Sequence, residues 1–298
     1  MTPKLQYALI TPARNEAAYV GNTIEAVLSQ YQRPVKWIIV DDGSTDETAH
    51  IVHRYAARYD FIALVSTDGD RTRNFGSKAA AITVGLQRLS HTPHDLIGNL
   101  DADIIIRPDY YANVIAEFER DARLGISGGV IYEPNGDRFI THDTTWDSVG
   151  GAVQLFRKEC FQQIGGYPQL ESGGIDAAAE ITARMHGWLV RKVANNGVYE
   201  QRRTGYASGH PLRASYREGV HYHKLGYSTI FYFLRCAYRI ADAPVVAGSL
   251  MGLLGFLSAK VRREPISLPS EVVSYLRSEQ TAKIWERILR KQTSVPAY

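Results

Sequence analysis

The sequence carries three short polar clusters whose residue types and spacing can do chemistry. One of them, Asp101-Ala102-Asp103, sets two carboxylates one residue apart, directly after the apolar stretch Leu96–Leu100. At a corner between a strand and a loop, both carboxylates can turn toward one hard divalent cation. Mg²⁺ and Mn²⁺ prefer such oxygen ligands and often share them with the phosphates of a substrate. An isolated Asp-x-Asp is also common in solvent-exposed loops, so the neighbouring clusters decide between the two interpretations.

A second cluster spans Val40–Asp46 and also follows an apolar stretch. A carboxylate at this place can accept hydrogen bonds from a nucleobase imide or a ribose hydroxyl. Ser44 or Asp46 is expected to cap the following helix. Because Asp41 and Asp42 cannot both be helix caps, one of these two carboxylates remains for a ligand.

Short apolar runs and helical patterns must position these clusters. Four runs have the length and composition of buried strands, and turn residues follow them: Tyr7–Ile10, Trp37–Val40, Phe61–Val65 and Leu96–Leu100. Helical patterns lie between them, at Asn22–Tyr31 and after the capping signal Ser44–Glu47. This alternation predicts right-handed crossovers and a mainly parallel sheet with helices on both faces.

The carboxyl ends of the predicted strands carry the polar clusters. Thr11–Glu16 follows the first strand, and the clusters at Val40–Asp46 and Asp101–Asp103 follow the second and fourth. Ligands of parallel α/β sheets bind outside the carboxyl ends of the strands. We therefore expect one site at this edge. Further along, the pattern predicts strands at Ile126–Tyr132 and Ala152–Phe156 and a helix at Asp176–His186.

In their order and spacing, the three clusters resemble the signature of family-2 glycosyltransferases with the GT-A fold. The resemblance covers roughly residues 5–205, and Arg73–Ala79 fits the Gly/Ala-rich helix start of that family. It implies an α/β GT-A fold, that is, a Rossmann-like, mainly parallel sheet with flanking helices. A nucleotidyltransferase would be expected to carry a Gly-rich loop with Arg and Lys directly after the first strand. Pro12–Glu16 stands there instead, which disfavours that alternative.

The resemblance implies transfer of a sugar from a nucleotide diphosphate donor, UDP-linked in the commonest case, with inversion at the anomeric carbon. Asp42 would contact the base, and Asp101 the ribose or a metal-bound water. Asp103 would coordinate Mn²⁺ or Mg²⁺, which stabilises charge on the leaving diphosphate. The remaining nucleotide-binding positions that the resemblance implies are Pro12, Arg14, Glu16 and Lys78.

Inversion requires a base that takes the proton of the acceptor hydroxyl. The family usually supplies it from an acidic pair that opens a helix, but here Asp176 stands alone and alanines follow it. Asp176 is our first candidate for the base, and Glu180 is the alternative. An i,i+4 ion pair between Glu180 and Arg184 is a structural interpretation of the same residues, and for Glu180 we favour it over catalysis.

Some GT-A enzymes add a metal-binding histidine after the base helix, and His210 is the first candidate here, with His221 and His223 as others. Gln201-Arg202-Arg203 lies in the same stretch and could bind the diphosphate or a phosphorylated acceptor through guanidinium contacts. Trp146 and Tyr167 could stack on sugar rings, although a role in the core is an equal alternative.

The 298 residues include two cysteines, Cys160 and Cys236, which excludes a disulfide scaffold and a zinc module. The N-terminal residues lack the pattern of a signal peptide, so we expect a cytoplasmic protein. Residues 1–190 hold 17 basic against 24 acidic side chains, whereas residues 191–298 hold 17 against 7. Such a basic tail suits an anionic surface.

The tail combines the aromatic, helical pattern Tyr227–Ile240 with the uncharged run Pro244–Ala259. Sixteen residues are too few for the ~20 that span a bilayer, so we expect peripheral contact through 227–263 at the cytosolic face of the membrane. A helical subdomain that packs on the core or forms a homodimer is the alternative.

The expected domains are a catalytic domain at 1–205 and a C-terminal helical region at 206–298. The first divides into a nucleotide-binding half, 1–105, and an acceptor-binding half, 106–205. The expected acceptor is a saccharide or a polyprenyl-linked saccharide in cell-surface polysaccharide or glycolipid synthesis, and no nucleic acid partner is expected. A protein that binds nucleotide sugars without turnover, as a scaffold, remains the non-enzymatic alternative.

Overall fold

A computed structural model describes residues 4–67, 75–141, 147–170, 173–202, 211–240 and 245–293. The chain divides into two compact units, which we call the α/β unit (Met1–Thr204) and the helical unit (Gly205–Tyr298).

The described part of the α/β unit contains one mixed sheet. Its strands are β1 (Tyr7–Ala13), β2 (Lys36–Asp42), β3 (Ile62–Thr67), β4 (Leu96–Asn99), β5 (Ile104–Ile106), β6 (Leu124–Asn135), β7 (Arg138–Ile140), β8 (Leu155–Arg157) and β9 (Leu189–Glu200). They are ordered β3-β2-β1-β4-β8-β6-β9-β5, and β7 pairs with β6 in a hairpin.

The strand order has a parallel half and a mixed half. Strands β3, β2, β1 and β4 pair in parallel, which confirms the parallel sheet predicted from the first four apolar runs. Beyond them, β8 pairs antiparallel with β4 and β6, whereas β6 and β9 pair in parallel. The sequence analysis did not anticipate β9, whose antiparallel partner is β5.

Helices flank the sheet because each carries an apolar stripe that must be buried. In the α/β unit they are α1 (Val20–Leu28), α2 (Thr48–Ala56), α3 (Phe75–Leu89), α4 (Tyr110–Arg120), α5 (Lys158–Gln163) and α6 (Ile175–Met185). The predicted helices at Asn22–Tyr31, after Ser44 and at Asp176–His186 correspond to α1, α2 and α6. The core contains large, fully buried aromatic side chains, among them Trp37, Tyr7 and Phe118.

The helical unit consists, in its described residues, of α7 (Pro211–Lys224), α8 (Thr229–Tyr238), α9 (Ala247–Val261) and α10 (Ser270–Thr293). Two glycines of the uncharged run, Gly252 and Gly255, lie where helices approach closely. A Cβ atom on Gly252 would contact Tyr232 Oη at 2.9 Å, and one on Gly255 would collide with the backbone of Tyr216 in α7. Among the residues the structure describes, no helix is both long enough and apolar enough to cross a bilayer.

Large apolar side chains of the helical unit are exposed along α8 and α9. On α9 they recur at helical spacing and form one stripe, with Val261 82% exposed and Leu250 55% exposed. We call the set of these side chains on both helices the apolar face: Ile230, Phe233, Leu234, Tyr238, Val246, Leu250, Leu254, Leu257 and Val261. Lys260 Nζ donates to Thr229 Oγ1 at 2.7 Å, so the end of α9 lies beside the start of α8.

Candidate active site

Two loops at the carboxyl edge of the parallel strands are tied together by side chains. Asn15 has a φ of 56°, and its Oδ1 accepts a hydrogen bond from the backbone N–H of Thr45 at 2.8 Å. Asn15 N–H donates to Ser44 Oγ at 3.0 Å. Asp46 Oδ2 accepts from the N–H of Ala17 at 3.1 Å. The loop after β1 and the loop after β2 therefore form one rigid wall of the edge.

The two neighbouring aspartates at the end of β2 are used differently. Asp41 is 5% exposed, and its Oδ1 accepts from the N–H of Ser44 at 3.2 Å, which shapes its own turn. Asp42 accepts from Thr67 Oγ1 at 3.1 Å and lies 3.6 Å from Arg14 Nη1. Of the two aspartates, Asp42 is the one that lies beside the guanidinium of Arg14 from the neighbouring loop.

Lys78 and Asp101 form a close ion pair. Lys78 Nζ lies 2.6 Å from Asp101 Oδ1 and 2.9 Å from Oδ2, although the two residues are 23 positions apart in sequence. Asn99 Nδ2 donates to Asp101 Oδ1 at 3.2 Å. Two side chains from different elements thus hold the carboxylate of Asp101 in one orientation.

Arg202 bridges two carboxylates that the sequence places far apart. Its Nε lies 2.7 Å from Asp103 Oδ2 and its Nη2 lies 2.5 Å from Glu16 Oε1. The register of the sheet explains this contact: Ile104 of β5 pairs with Glu200 of β9, so the chain just beyond Glu200 runs past Asp103. The structure therefore brings the first and third clusters together through an arginine.

A buried threonine of α1 fixes the loop that carries both aspartates. Thr23 is fully buried, its Oγ1 donates to the carbonyl of Ala102 at 2.7 Å, and it accepts from the N–H of Ile104 at 3.1 Å. These bonds satisfy backbone groups that a buried loop would otherwise leave unpaired. The side chains of Asp101 and Asp103 consequently leave the loop from fixed positions.

Burial and neighbouring charges both affect the ionisation of Asp103. Burial raises the pKa of Asp103, and the neighbouring charge of Asp101 raises it further, whereas Arg202 lowers it. The net shift of the pKa is upward, and burial is its largest cause. Among the described residues, no three His, Cys, Asp or Glu side chains form a ready metal cluster. Two carboxylates still fit a Mg²⁺ or Mn²⁺ ion that takes its other ligands from water and phosphate.

Asp176 lies in the first turn of α6 and reaches the segment before β8. Its Oδ2 accepts a hydrogen bond from the N–H of Gly151 at 3.2 Å. The carbonyl of the same glycine lies 3.5 Å from Lys78 Nζ and also accepts from Asn99 Nδ2. Asp176 is therefore linked to the partners of Asp101 through one residue.

Glu180 is 3% exposed and holds backbone from inside the protein. Its Oε1 accepts from the N–H of Val149 at 2.6 Å and from Gln154 Nε2 at 3.1 Å, and its Oε2 lies 3.8 Å from Arg184. Burial raises the pKa of Glu180 to about 7. The i,i+4 ion pair with Arg184 is present, together with hydrogen bonds to loop backbone that the sequence did not indicate.

Other candidate residues have different surroundings. Pro12 lies within β1, paired in register with Val40. Tyr167 is partly buried: its hydroxyl donates to Gln154 Oε1 at 2.7 Å, and its ring packs edge-on against the buried rings of Phe156 and Phe161. His223 Nε2 lies 3.1 Å from the carbonyl of Glu264 inside the helical unit. His210 and Trp146 lie outside the described residues.

Sequence reasoning missed Asn99 and Gly151, and it considered Arg202 only as a ligand of phosphate. Asn99 had a detectable signal, because an amide two positions before Asp101 in an apolar strand is a buried polar group that needs partners. Gly151 had none, since its role depends on a residue 25 positions later.

Comparison with known proteins identifies the family. Residues 8–174 match the family model described as glycosyl transferase family 2, which is more than half of the chain. The chain belongs to this family. A 4,4'-diaponeurosporenoate glycosyltransferase of Staphylococcus aureus is 30% identical over 119 residues, which are 40% of this chain and 29% of that protein. The chain thus matches less than a third of the length of this relative.

Solved structures of glycosyltransferases show the same fold. A mannosyltransferase from Pyrobaculum calidifontis, in complex with GDP-Man and Mn²⁺, has a TM-score of 0.58 at 18% identity, over 98% of this chain and 84% of that one. Staphylococcus aureus TarS with UDP-GlcNAc has a TM-score of 0.54 at 14% identity, over 87% and 73%. The GT-A fold expected from the sequence is confirmed, and the protein is a family-2 glycosyltransferase in fold and family.

Proposed function

We propose that this protein is an inverting glycosyltransferase that moves a sugar from a UDP-linked donor to a saccharide or polyprenyl-linked acceptor. The observation that carries the proposal is that Asp42, Asp101 and Asp103, each beside a cationic side chain, follow the carboxyl ends of parallel strands of one sheet. Ligands of α/β sheets bind at this edge. Family membership and solved neighbours that hold nucleotide sugars support the same assignment.

In this proposal the donor binds against the wall formed by the loops after β1 and β2. Asp42 accepts from the base imide, and Arg14 Nη1, 3.6 Å from Asp42 Oδ2, orients that carboxylate. Pro12 and Glu16 line the same pocket. Asp101 binds the ribose, while its two bonds from Lys78 prevent rotation of the carboxylate.

Asp103, together with Asp101, would hold Mn²⁺ or Mg²⁺. When bound, the cation supplies positive charge to the leaving diphosphate, so no general acid is required. Arg202 forms ion pairs with Asp103 and Glu16. Its guanidinium would also contact the diphosphate of a bound donor, because a planar guanidinium suits paired phosphate oxygens.

Asp176 is the proposed base. It removes the proton of the acceptor hydroxyl while that oxygen attacks the anomeric carbon from the face opposite the diphosphate. Its carboxylate accepts one hydrogen bond from Gly151 N–H, which orients it. Glu180 is buried beneath loop backbone, which supports a structural role for it over a catalytic one.

The domain proposal follows from these roles. Residues 1–105 bind the nucleotide and residues 106–205 bind the acceptor, whereas residues 206–298 contact the cytosolic face of the membrane. The apolar face supports the last part, because exposed apolar side chains that recur along two neighbouring helices are a feature of interaction surfaces. Arg262 and Arg263 follow α9, and such cations favour an anionic leaflet.

Ligand-dependent thermal stability tests the function. UDP with Mn²⁺ is expected to raise the melting temperature, since a ligand that binds only the native state stabilises it. GDP with Mn²⁺, which keeps the diphosphate and changes the base, serves as the comparison, and a larger shift with GDP would overturn the uridine assignment. UDP-sugar binding without turnover, unchanged in Asp176→Ala, would instead favour a binding or scaffolding protein.

A further inference from the structure

One segment contacts both the end of β4 and helix α6. This segment is Val149–Gln154, and we call it the bridging loop. On one side it pairs with the end of β4. Asn99 N–H donates to the carbonyl of Gln154 at 2.9 Å, and Asp101 N–H donates to that of Ala152 at 2.9 Å. The loop is therefore held by backbone bonds beside the aspartate that we assign to the donor.

The other side of the bridging loop is held by α6. Val149 N–H donates to Glu180, and Gly151 N–H donates to Asp176 at 3.2 Å. Asp176 and Glu180 are four positions apart, so they project from one face of the helix. Both α6 carboxylates thus contact the loop that β4 fixes.

Gly151 is the point where these two sets of contacts meet. Its carbonyl accepts from Asn99 Nδ2 and faces Lys78, the partners of Asp101. A Cβ atom on Gly151 would lie 2.8 Å from Oδ2, 2.9 Å from Cβ and 3.0 Å from Cγ of Asp176. The φ of Gly151 is not in the left-handed region. The requirement for glycine therefore comes from the close approach of Asp176.

We propose that Gly151 is a positioning residue: its missing side chain and its N–H set Asp176 at a fixed place relative to Asp101. This inference rests on the proposed function, in which these carboxylates serve the acceptor and the donor. A larger residue would displace Asp176 by a few tenths of an ångström or more. The displaced carboxylate would no longer be aligned with the acceptor hydroxyl. The loops after β1 and β2, which bind the nucleotide in this proposal, would be unchanged.

The test compares Gly151→Ala with Gly21→Ala. A Cβ on Gly21, in α1, would meet only Ile51 Cγ2 at 4.0 Å, which makes it a matched control. The assay measures UDP release from the UDP-sugar that the wild type turns over. In this assay we expect kcat of Gly151→Ala to fall about 10- to 100-fold. The dissociation constant of UDP with Mn²⁺, measured by calorimetry, should stay within about threefold of the control.

A double-mutant cycle separates positioning from general damage. Adding Gly151→Ala to Asp176→Asn should cause little further loss of kcat, because the alanine acts through the residue that is already disabled. An additive loss, or a kcat for Gly151→Ala equal to that of the control, would overturn the inference. If Gly151→Ala melts below the assay temperature, the wild type, Gly151→Ala and Gly21→Ala are all assayed at a temperature below that melting point and are judged by the same criteria.

The outcomes distinguish this inference from the function on which it rests. A wild-type protein that neither binds UDP or GDP nor releases nucleotide from a sugar donor contradicts the proposed function itself. A wild type that turns over, with Gly151→Ala unaffected, contradicts only the positioning role.

Discussion

The carboxyl edge of the α/β unit and the apolar face of the helical unit present opposite kinds of surface. At the edge, acidic side chains are held by protein cations: Asp101 by Lys78, and Asp103 by Arg202. On the apolar face, side chains such as Leu250 and Val261 are exposed to solvent. Proteins usually bury their large apolar side chains, so the apolar face is unusual in exposing them. The carboxyl edge is instead rich in charged side chains that are paired with one another.

The difference indicates two kinds of partner. Paired charges at a strand edge can exchange their internal partners for a charged ligand without leaving an ion unpaired. The free energy of exposed apolar groups falls when an apolar environment covers them. The predictions below test the polar edge first, where single groups have the largest effects, and the apolar face last.

Replacement of Asp176 by Asn should give the largest effect. The amide keeps the size of the side chain and can still accept from Gly151 N–H, but it cannot take a proton. We expect kcat to fall about 10²- to 10⁴-fold with UDP affinity retained, measured by turnover and calorimetry. Asp137→Asn, in the exposed β6–β7 turn, is the control. Full activity of Asp176→Asn would assign the base to Glu180 or another residue.

Glu180→Gln should change how stability depends on pH. Burial gives Glu180 a pKa of about 7 in the folded protein, above its ordinary value of 4.5. The native state therefore binds more protons than the unfolded state between these pH values, and stability falls as pH rises through this window. We expect the free energy of unfolding to drop by about 3 kcal/mol more in the wild type than in Glu180→Gln between pH 4.5 and pH 8, measured by urea denaturation. Parallel pH profiles of the two proteins would contradict the prediction.

Asp103→Ala should weaken UDP binding by about tenfold or more in Mn²⁺ and leave binding without metal nearly unchanged. The physical reason is the loss of one of two oxygen ligands that share the cation with phosphate. Calorimetric titration with and without Mn²⁺ measures the effect, with Asp137→Ala as the control. Equal Mn²⁺ dependence in both variants would exclude a metal role for Asp103.

The apolar face should give the smallest single-residue effect. Leu250→Asp is expected to reduce partitioning onto phosphatidylglycerol-containing vesicles by about tenfold, because a half-exposed leucine contributes part of the about 1.5–3 kcal/mol of a fully buried one. Tyr31→Asp adds the same charge to the α/β unit, where Tyr31 is 80% exposed, and should leave partitioning unchanged.

Two results would contradict membrane contact. One is vesicle binding that does not respond to Leu250→Asp. The other is a shift from dimer to monomer in Leu250→Asp without any vesicle binding in the wild type, which would assign the apolar face to a second copy of the chain.

Part of the site was predictable from local sequence. The apolar runs before Asp41 and Asp101 identified strands β2 and β4, and parallel pairing then required their ends to share one edge. Family membership followed from the same clusters in order. Arg202 was predicted only as a ligand of phosphate and not as a partner of Asp103 and Glu16, since β9 and its pairing with β5 have no strong local signal.

The sequence by itself determined the parallel half of the sheet, the family, and the helices that carry the apolar face, because hydrophobic periodicity and turn residues are local properties. Only the tertiary structure decided which cation pairs with each aspartate and which of the two α6 carboxylates is buried. It also decided that Gly151 must lack a side chain. These outcomes depend on contacts between residues 23 or more positions apart, such as Lys78 with Asp101 and Asp176 with Gly151, whose distances are set by sheet register and helix packing.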